Sequence, residues 1–424
     1  MNLTRSFEDS RNGDDAQVGG REWGVWGVVW HRDHCRCETP AVLLASGAAL
    51  HCLTRFLLAL ALVACGCSRA QASSHTNIQA LFLILMENVS WPDIVNGPNA
   101  PFIKNVLLPQ SSYASNMFIV PGTFGSLPQY LWLESGTNWG VATDSSDPAS
   151  HHFNTTNHLV IQLQNAGISW KAYQENISGT TCPTASSGLY AAYHNPFVYF
   201  DDIYLNATNC TNHIRPYTEL ARDLTNNTIA RYNFITPNLC NCMHGGTGCP
   251  ANRILTGDTW LANEIPGIMS SQAYSNNGAI IITWDEGTGN VAGPFGTIVL
   301  SPLAKGGGYR MSNRLDHTAT FRTLQEIFHV PLLYGAKTGT NLSDLFKPTI
   351  QLSAPAFTSN NWMQFTAKGI VPGKTNFFQF TTNLANLVTW QSLLTNVLAT
   401  NLFTFVDTNA SNAPRRFYRV LETH

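Results

Sequence analysis

Two stretches of unbroken apolar residues constrain the fold of this chain more than any other feature. ALFLILM at 80–86 and AIIITW at 279–284 are too continuous for strands with one wet face, which alternate apolar and polar residues. Strands buried on both faces belong to a mostly parallel sheet covered by helices. YNFIT at 232–236 and GTIVLS at 296–301 read as two further strands. Helix-spaced segments at 127–134, 159–166, 256–265 and 319–328 lie among them, and the alternation predicts an α/β domain over 73–351. Near residue 352 the pattern changes. Short alternating segments around Phe365, Phe377, Phe380, Phe405 and Phe417, separated by Asn, Thr, Gly and Pro, predict a small all-β sandwich over 352–424.

The first 72 residues read differently again. FLLALALVA at 56–64 follows Arg55 and is too short to span a bilayer, but it has the length of a signal-peptide hydrophobic region. A buried core helix is the competing reading. Two exits compete: LVAC at 62–65, a lipoprotein box that would put a lipid anchor on Cys65, and the small-residue site AQA at 70–72. Because a signal normally opens a chain, residues 1 to about 50 are expected to be an over-extended reading frame. The product is expected to be secreted, periplasmic or held at the outer surface, touching membrane only through that anchor. An oxidising compartment then predicts disulfides among the cysteines after the leader: Cys182 with Cys210, and Cys249 with Cys240 or Cys242. A zinc site built on Cys240, Cys242, His244 and Cys249 is the weaker alternative, since its spacing lacks the usual two-residue gap. Only 12% of residues are charged, with 24 basic against 26 acidic and a net charge of -2. With 44% hydrophobic residues, this excludes intrinsic disorder, and the charge balance supplies no broad field for nucleic acid.

Chemistry concentrates where the buried strands end. The first runs into Glu87-Asn88 and the second into Asp285-Glu286. Groups at the carboxyl ends of parallel strands share one crevice, and three carboxylates with an amide gathered there require a cation. Such oxygen donors suit a divalent metal of unspecified identity. Between them lies TFGSLPQY at 123–130. Pro128 suits a first helical turn, which puts Ser126 at or near a helix N-cap. Ser126 then either caps the helix or, with its hydroxyl activated by a metal, acts as a nucleophile whose phosphate rests on the helix N-terminus. Thr123 is a minor alternative nucleophile. His194, His244 and His317 are ordinary loop residues singly, but together they could supply donors and acids for a phosphoester. His151, His152 and His158 read as surface residues.

With these residues in place the chain resembles the acid phosphatase and phospholipase C phosphoesterases, whose core is similar to the alkaline-phosphatase superfamily. The matching stretches are LMENVSWPD at 85–93, SLPQYL at 126–131 with Ser135-Gly136, HNPF at 194–197, TPNLC at 236–240 with His244, DTWL at 258–261, TWDEG at 283–287, and Asp316-His317 leading to Arg322-Thr323. The resemblance implies that Glu87, Asn88, Asp285 and Glu286 surround a metal, with Ser126 as both ligand and nucleophile. It implies that His194 and His244 serve phosphoryl binding and proton transfer, and that Asn88, Asn195 and His317 contact substrate. The substrate is expected to be a phosphate-ester small molecule, through a phosphoserine intermediate, or a phospholipid head group as in the phospholipase branch. The acid-phosphatase branch fits the Ser-x-Pro-x-Tyr stretch better. Three positions depart from the family pattern: Phe124 stands where a His is usual, Gln129 replaces Asn, and Cys242 replaces an Asp that would orient His244. The Phe124 and Cys242 departures motivate a competing reading, a non-catalytic surface-binding protein on the same fold.

Overall fold

The computed structural model describes residues 74–144, 147–360, 362–370, 373–383, 389–412 and 415–422. The signal segment and Cys65 lie outside the described residues. The chain divides into two compact units, one of them Ser73–Lys347 and the other containing Pro348–His424.

Nine strands form the sheet of the larger unit: β1 (Leu81–Met86), β2 (Ser112–Phe118), β3 (Trp170–Gln174), β4 (Ile214–Pro216), β5 (Tyr232–Thr236), β6 (Ala279–Trp284), β7 (Phe295–Leu300), β8 (Tyr309–Met311) and β9 (Leu315–Asp316). Their order is β4-β3-β5-β1-β6-β7-β2-β8, with β9 also paired to β2. All pairings are parallel except those of β7 with β6 and β2. The mostly parallel α/β sheet expected from the apolar runs is therefore present, with one antiparallel strand. Every residue of β1, β5, β6 and β7 is buried, as a sheet covered on both faces requires. Strands β2 and β3, SYASNMF and WKAYQ, carry polar residues and lie outside the run-based reading.

Four helices matter for the site: α1 (Ser126–Ser135), α2 (Leu159–Asn165), α3 (Arg253–Met269) and α4 (His317–Phe328). Helix α3 starts three residues before the expected position because the Asn252 side chain caps it, accepting from Leu255 N–H at 3.1 Å. Helix α4 packs against α1, and Trp132 Nε1 donates to Thr318 Oγ1 at 3.1 Å.

His158, expected at the surface, is fully buried. Its Nδ1 lies 2.9 Å from Glu134 Oε1 at the end of α1, and its Nε2 3.1 Å from Asp202 Oδ1. The ring stacks on Phe200 with centroids 4.0 Å apart. Nothing in the local sequence signals this, because both carboxylate partners come from other segments. Burial disfavours the imidazolium, but hydrogen bonds to Asp202 and Glu134 outweigh it and raise the group to about 9. A folded-state value above the ordinary one means that the stabilisation is complete below about pH 6.5 and is lost as pH rises through about 9. His158→Ala strands two carboxylates and should cost about 3–5 kcal/mol in urea denaturation at pH 7. A loss below about 1 kcal/mol would refute the clamp.

Cys182–Cys210 and Cys240–Cys249 form disulfides, and Cys242 is free and buried. The zinc alternative fails on this pairing, which consumes two of its thiolates. In the smaller unit, two antiparallel sheets assemble from β10 (Gln351–Leu352), β11 (Ala356–Phe357), β12 (Met363–Lys368), β13 (Thr375–Thr381), β14 (Gln391–Val397), β15 (Leu402–Asp407) and β16 (Phe417–Glu422). Phe365 and Phe405 from one sheet meet Tyr418 and Phe378 from the other. This is the expected small sandwich, with a core of its own.

Candidate active site

The register of β1 against β6 pairs Met86 with Trp284, so Glu87 and Asp285 leave the sheet side by side. Asp285 N–H still donates to Met86 O at 3.0 Å. Asn88 then turns back with φ 47°, a left-handed conformation that Asn tolerates better than most side chains. That turn lets Asn88 N–H donate to Asp285 Oδ1 at 2.9 Å. Arg253 Nη2 holds the turn from outside, donating to Asn88 O at 2.9 Å. Glu87, Asp285 and Glu286 are all buried.

Ser126 is the first residue of α1, and Gly125 with φ 87° is its N-cap. Ser126 thus stands one residue inside the cap, and its hydroxyl donates to Glu87 Oε2 at 2.8 Å. A serine that merely capped the helix would spend its oxygen on backbone N–H groups, so the geometry departs from the simple capping role. Tyr130, one helical turn along on the same face, donates to Glu87 Oε1 at 2.6 Å. The i, i+4 spacing was the available signal for Tyr130, to which the sequence reading assigned no role. Gly125 N–H donates to Glu286 Oε2 at 3.1 Å, tying the Ser126 loop to the end of β6. Thr123 is a poor alternative: its hydroxyl donates to Val120 O and accepts from Gln129, each at 2.7 Å.

An unforeseen group also reaches this helix start. Asp144, from the loop after α1, accepts from Leu127 N–H at 2.7 Å. A Cβ on residue 125 would lie 2.7–2.9 Å from the Asp144 carboxylate, so glycine is required there both for space and for its positive φ.

The histidines arrive from three other segments. His194 ends a 3-10 turn, Ala192–His194, stacks on Tyr130 with centroids 5.0 Å apart, and sets Nε2 3.2 Å from Glu87 Oε1. That approach lacks hydrogen-bond direction, since Nε2 has no hydrogen-bond partner among the described residues. Burial, then the nearby His244, hold His194 well below the ordinary imidazole range, so it is neutral. His244 is half-buried, 5.8 Å from the His194 ring. Its Nδ1 donates to Gly245 O at 2.9 Å, which fixes the orientation of the ring. The loop carrying it is anchored by Glu175, which accepts from Asn238 N–H and Asn241 Nδ2, each at 2.8 Å. His317 opens α4 and donates from Nε2 to Asp285 O at 2.7 Å, so its described bond is to the Asp285 backbone. Asn195 is buried and donates to Tyr190 Oη at 3.0 Å. The described contacts thus join Glu87, Asn88, Ser126, His194, Asp285, Glu286 and His317 in one network with His244 beside it, while Asn195 bonds outside it.

Electrostatics bear on the cation question. Burial, then the facing Asp285, push the Glu87 carboxyl well above the usual range. The same two causes, burial first, raise Glu286 to about 8. Asn88 Oδ1 and Asp285 Oδ2 are buried and have no hydrogen-bond partner among the described residues, a costly state for polar oxygens. Among the described residues no three His, Cys, Asp or Glu side chains form a ready-made cation cage. The donor set instead mixes carboxylate, amide and hydroxyl oxygens. Surplus buried charge and orphaned oxygens fit a hard divalent cation in chemistry.

The serine and the carboxylate cluster lie at the carboxyl edge of the sheet, the edge where open α/β sheets bind ligands. The phosphoesterase family model matches residues 110–331, just over half of the chain, and the chain belongs to that family. A phosphatidylinositol-3-phosphatase of Mycobacterium tuberculosis is 25% identical over 65% of this chain and 85% of its own length. An acid phosphatase of Aspergillus fumigatus is 25% identical over 48% of this chain and 44% of its own. A phospholipase C of Mycobacterium tuberculosis is 22% identical over 40% and 38%. The chain therefore spans less than half the length of these last two relatives. Among solved structures, an alkaline phosphatase superfamily protein from Vibrio parahaemolyticus aligns with a TM-score of 0.43 at 9% identity, covering 72% of this chain and 78% of that one.

Proposed function

We propose that this protein is an exported, metal-dependent phosphomonoesterase of acid-phosphatase type that works through a phosphoserine at Ser126. The observation that carries the reading is the Ser126 hydroxyl at a helix start, one residue inside the Gly125 cap, donating to buried Glu87. Glu87, Asn88, Ser126, Asp285 and Glu286 would hold the cation, which when bound lowers the pKa of the serine hydroxyl and offsets phosphoryl charge. The serine hydroxyl already stands 2.8 Å from Glu87 Oε2. Ser126 Oγ attacks phosphorus and the ester oxygen leaves. Backbone N–H groups at the start of α1 receive phosphoryl oxygens as the ester breaks. Neutral, buried His194 is a weak acid, so protonation of the leaving oxygen falls to half-buried His244, oriented through Gly245 O. Hydrolysis of the phosphoserine by water completes the cycle. The two disulfides favour an oxidising, extracytoplasmic compartment.

A substrate panel tests this directly. Purified full-length protein with divalent metal should release phosphate from p-nitrophenyl phosphate, and should cleave phosphatidylcholine at no more than about 1% of that kcat/KM, a gap of about 3 kcal/mol in transition-state stabilisation. Preference for the diester would move the protein to the phospholipase reading. Inactivity on both would support the surface-binding alternative, for which the exposed Phe124 beside Ser126 is the motivating feature.

A further inference from the structure

Beside the catalytic network lies a cavity of about 370 Å³ lined by residues of three segments, among them Phe118, Pro121, Arg314, Asp316, Thr318 and Thr338. Its position relative to Ser126 follows from the chain. Phe118 ends β2, and Pro121 lies on the eight-residue path from there to Ser126. Asp316 and Thr318 flank His317, whose Nε2 bonds Asp285 O at 2.7 Å. The cavity and the carboxylate cluster therefore share the carboxyl edge of the sheet, joined by both segments. Its size falls within the range of small-ligand sites.

Its lining identifies a chemistry. The Arg314 guanidinium carbon lies 3.4 Å from the centroid of the Phe118 ring, a cation–π contact that uses none of its N–H donors, which a carboxylate or phosphate can take in pairs. Arg314 is exposed and forms no ion pair among the described residues. The nearest acid in sequence, Asp316, spends Oδ1 on Thr318 N–H at 2.8 Å as the cap of α4. Thr338 and Thr340 add hydroxyls to the wall. An arginine without an ion pair among the described residues, sharing a cavity with three threonines beside a cluster built of carboxylates, selects an anion borne on a polar scaffold.

Resting on the phosphomonoesterase reading above, we infer that this cavity receives the leaving alcohol and that Arg314 selects alcohols carrying a second phosphate, so that a phosphorylated polyol is preferred over the same polyol bearing only the scissile phosphate. The test compares kcat/KM for fructose 1,6-bisphosphate and fructose 1-phosphate, using the full chain with metal. Wild type should favour the bisphosphate by about tenfold, the scale of one charge-assisted hydrogen-bond pair. Arg314→Ala should bring that ratio close to one, and Arg314→Lys should restore part of it. A ratio near one in an active wild type, or a ratio unchanged in Arg314→Ala, overturns the inference while leaving the parent reading intact. A wild type that hydrolyses neither sugar phosphate nor p-nitrophenyl phosphate overturns both.

Discussion

Ser126→Ala should lower kcat/KM on p-nitrophenyl phosphate by about 10⁴-fold or more, the scale on which removing a covalent nucleophile acts. Folding should survive. The substitution deletes one hydroxyl that donates to Glu87, and Glu87 keeps its bond from Tyr130 at 2.6 Å, so the stability cost should be about 1 kcal/mol. Two measurements separate a nucleophile from a helix cap. Acid-quenched wild type should carry covalent phosphate on the peptide containing Ser126, and Ser126→Ala should carry none. Thr123→Ala, which breaks the Gln129–Thr123 bond, should still form the phosphoenzyme. Activity of Ser126→Ala within tenfold of wild type would remove the serine from the mechanism.

Exhaustive chelation is the second large effect. It should abolish hydrolysis, and add-back of a divalent ion should restore it. A readout independent of turnover comes from linkage: at a hundredfold excess over its Kd the ion should stabilise the fold by about 2.7 kcal/mol. The pH dependence of the stripped protein follows from Glu286. Burial and Asp285 raise its carboxyl to about 8 in the fold, whereas an unfolded Glu titrates near 4.3. A raised folded value gives stability that is complete below about pH 4.3 and declines as pH rises through about 8. The metal-free protein should therefore lose thermal stability over that window, and the ion should flatten the decline. Equal melting curves with and without metal at pH 7, in protein shown by elemental analysis to be stripped, would remove the cation from the site.

What the sequence disclosed and what it hid follow from the range of the forces involved. β1, β5, β6 and β7 were legible because a strand covered on both faces must be apolar throughout, and that is a local property. The convergence of Glu87 with Asp285 was legible for the same reason, since it needs only two such strands running parallel. β2 and β3 were hidden because their polar positions break the runs. The roles of Asp144, Glu175 and His158 were hidden because each depends on partners 17 to 66 residues away, brought there by the fold. The bond that orients His244 was hidden as well, since its acceptor is a backbone carbonyl, a group that every residue carries.

The Asp144 carboxylate at the start of α1 has a consequence for how affinities of this protein are read. Its bond to Leu127 N–H exists before any ligand arrives. On the proposed reading, a phosphoryl group reaching those N–H groups displaces one anion with another rather than filling a bare donor. The measured affinity for phosphate is then a difference between two similar bonds, smaller than the contacts in the complex would imply. Weak retention of inorganic phosphate follows, and with it prompt turnover: a helix start that already carries its own counter-anion does not hold the product.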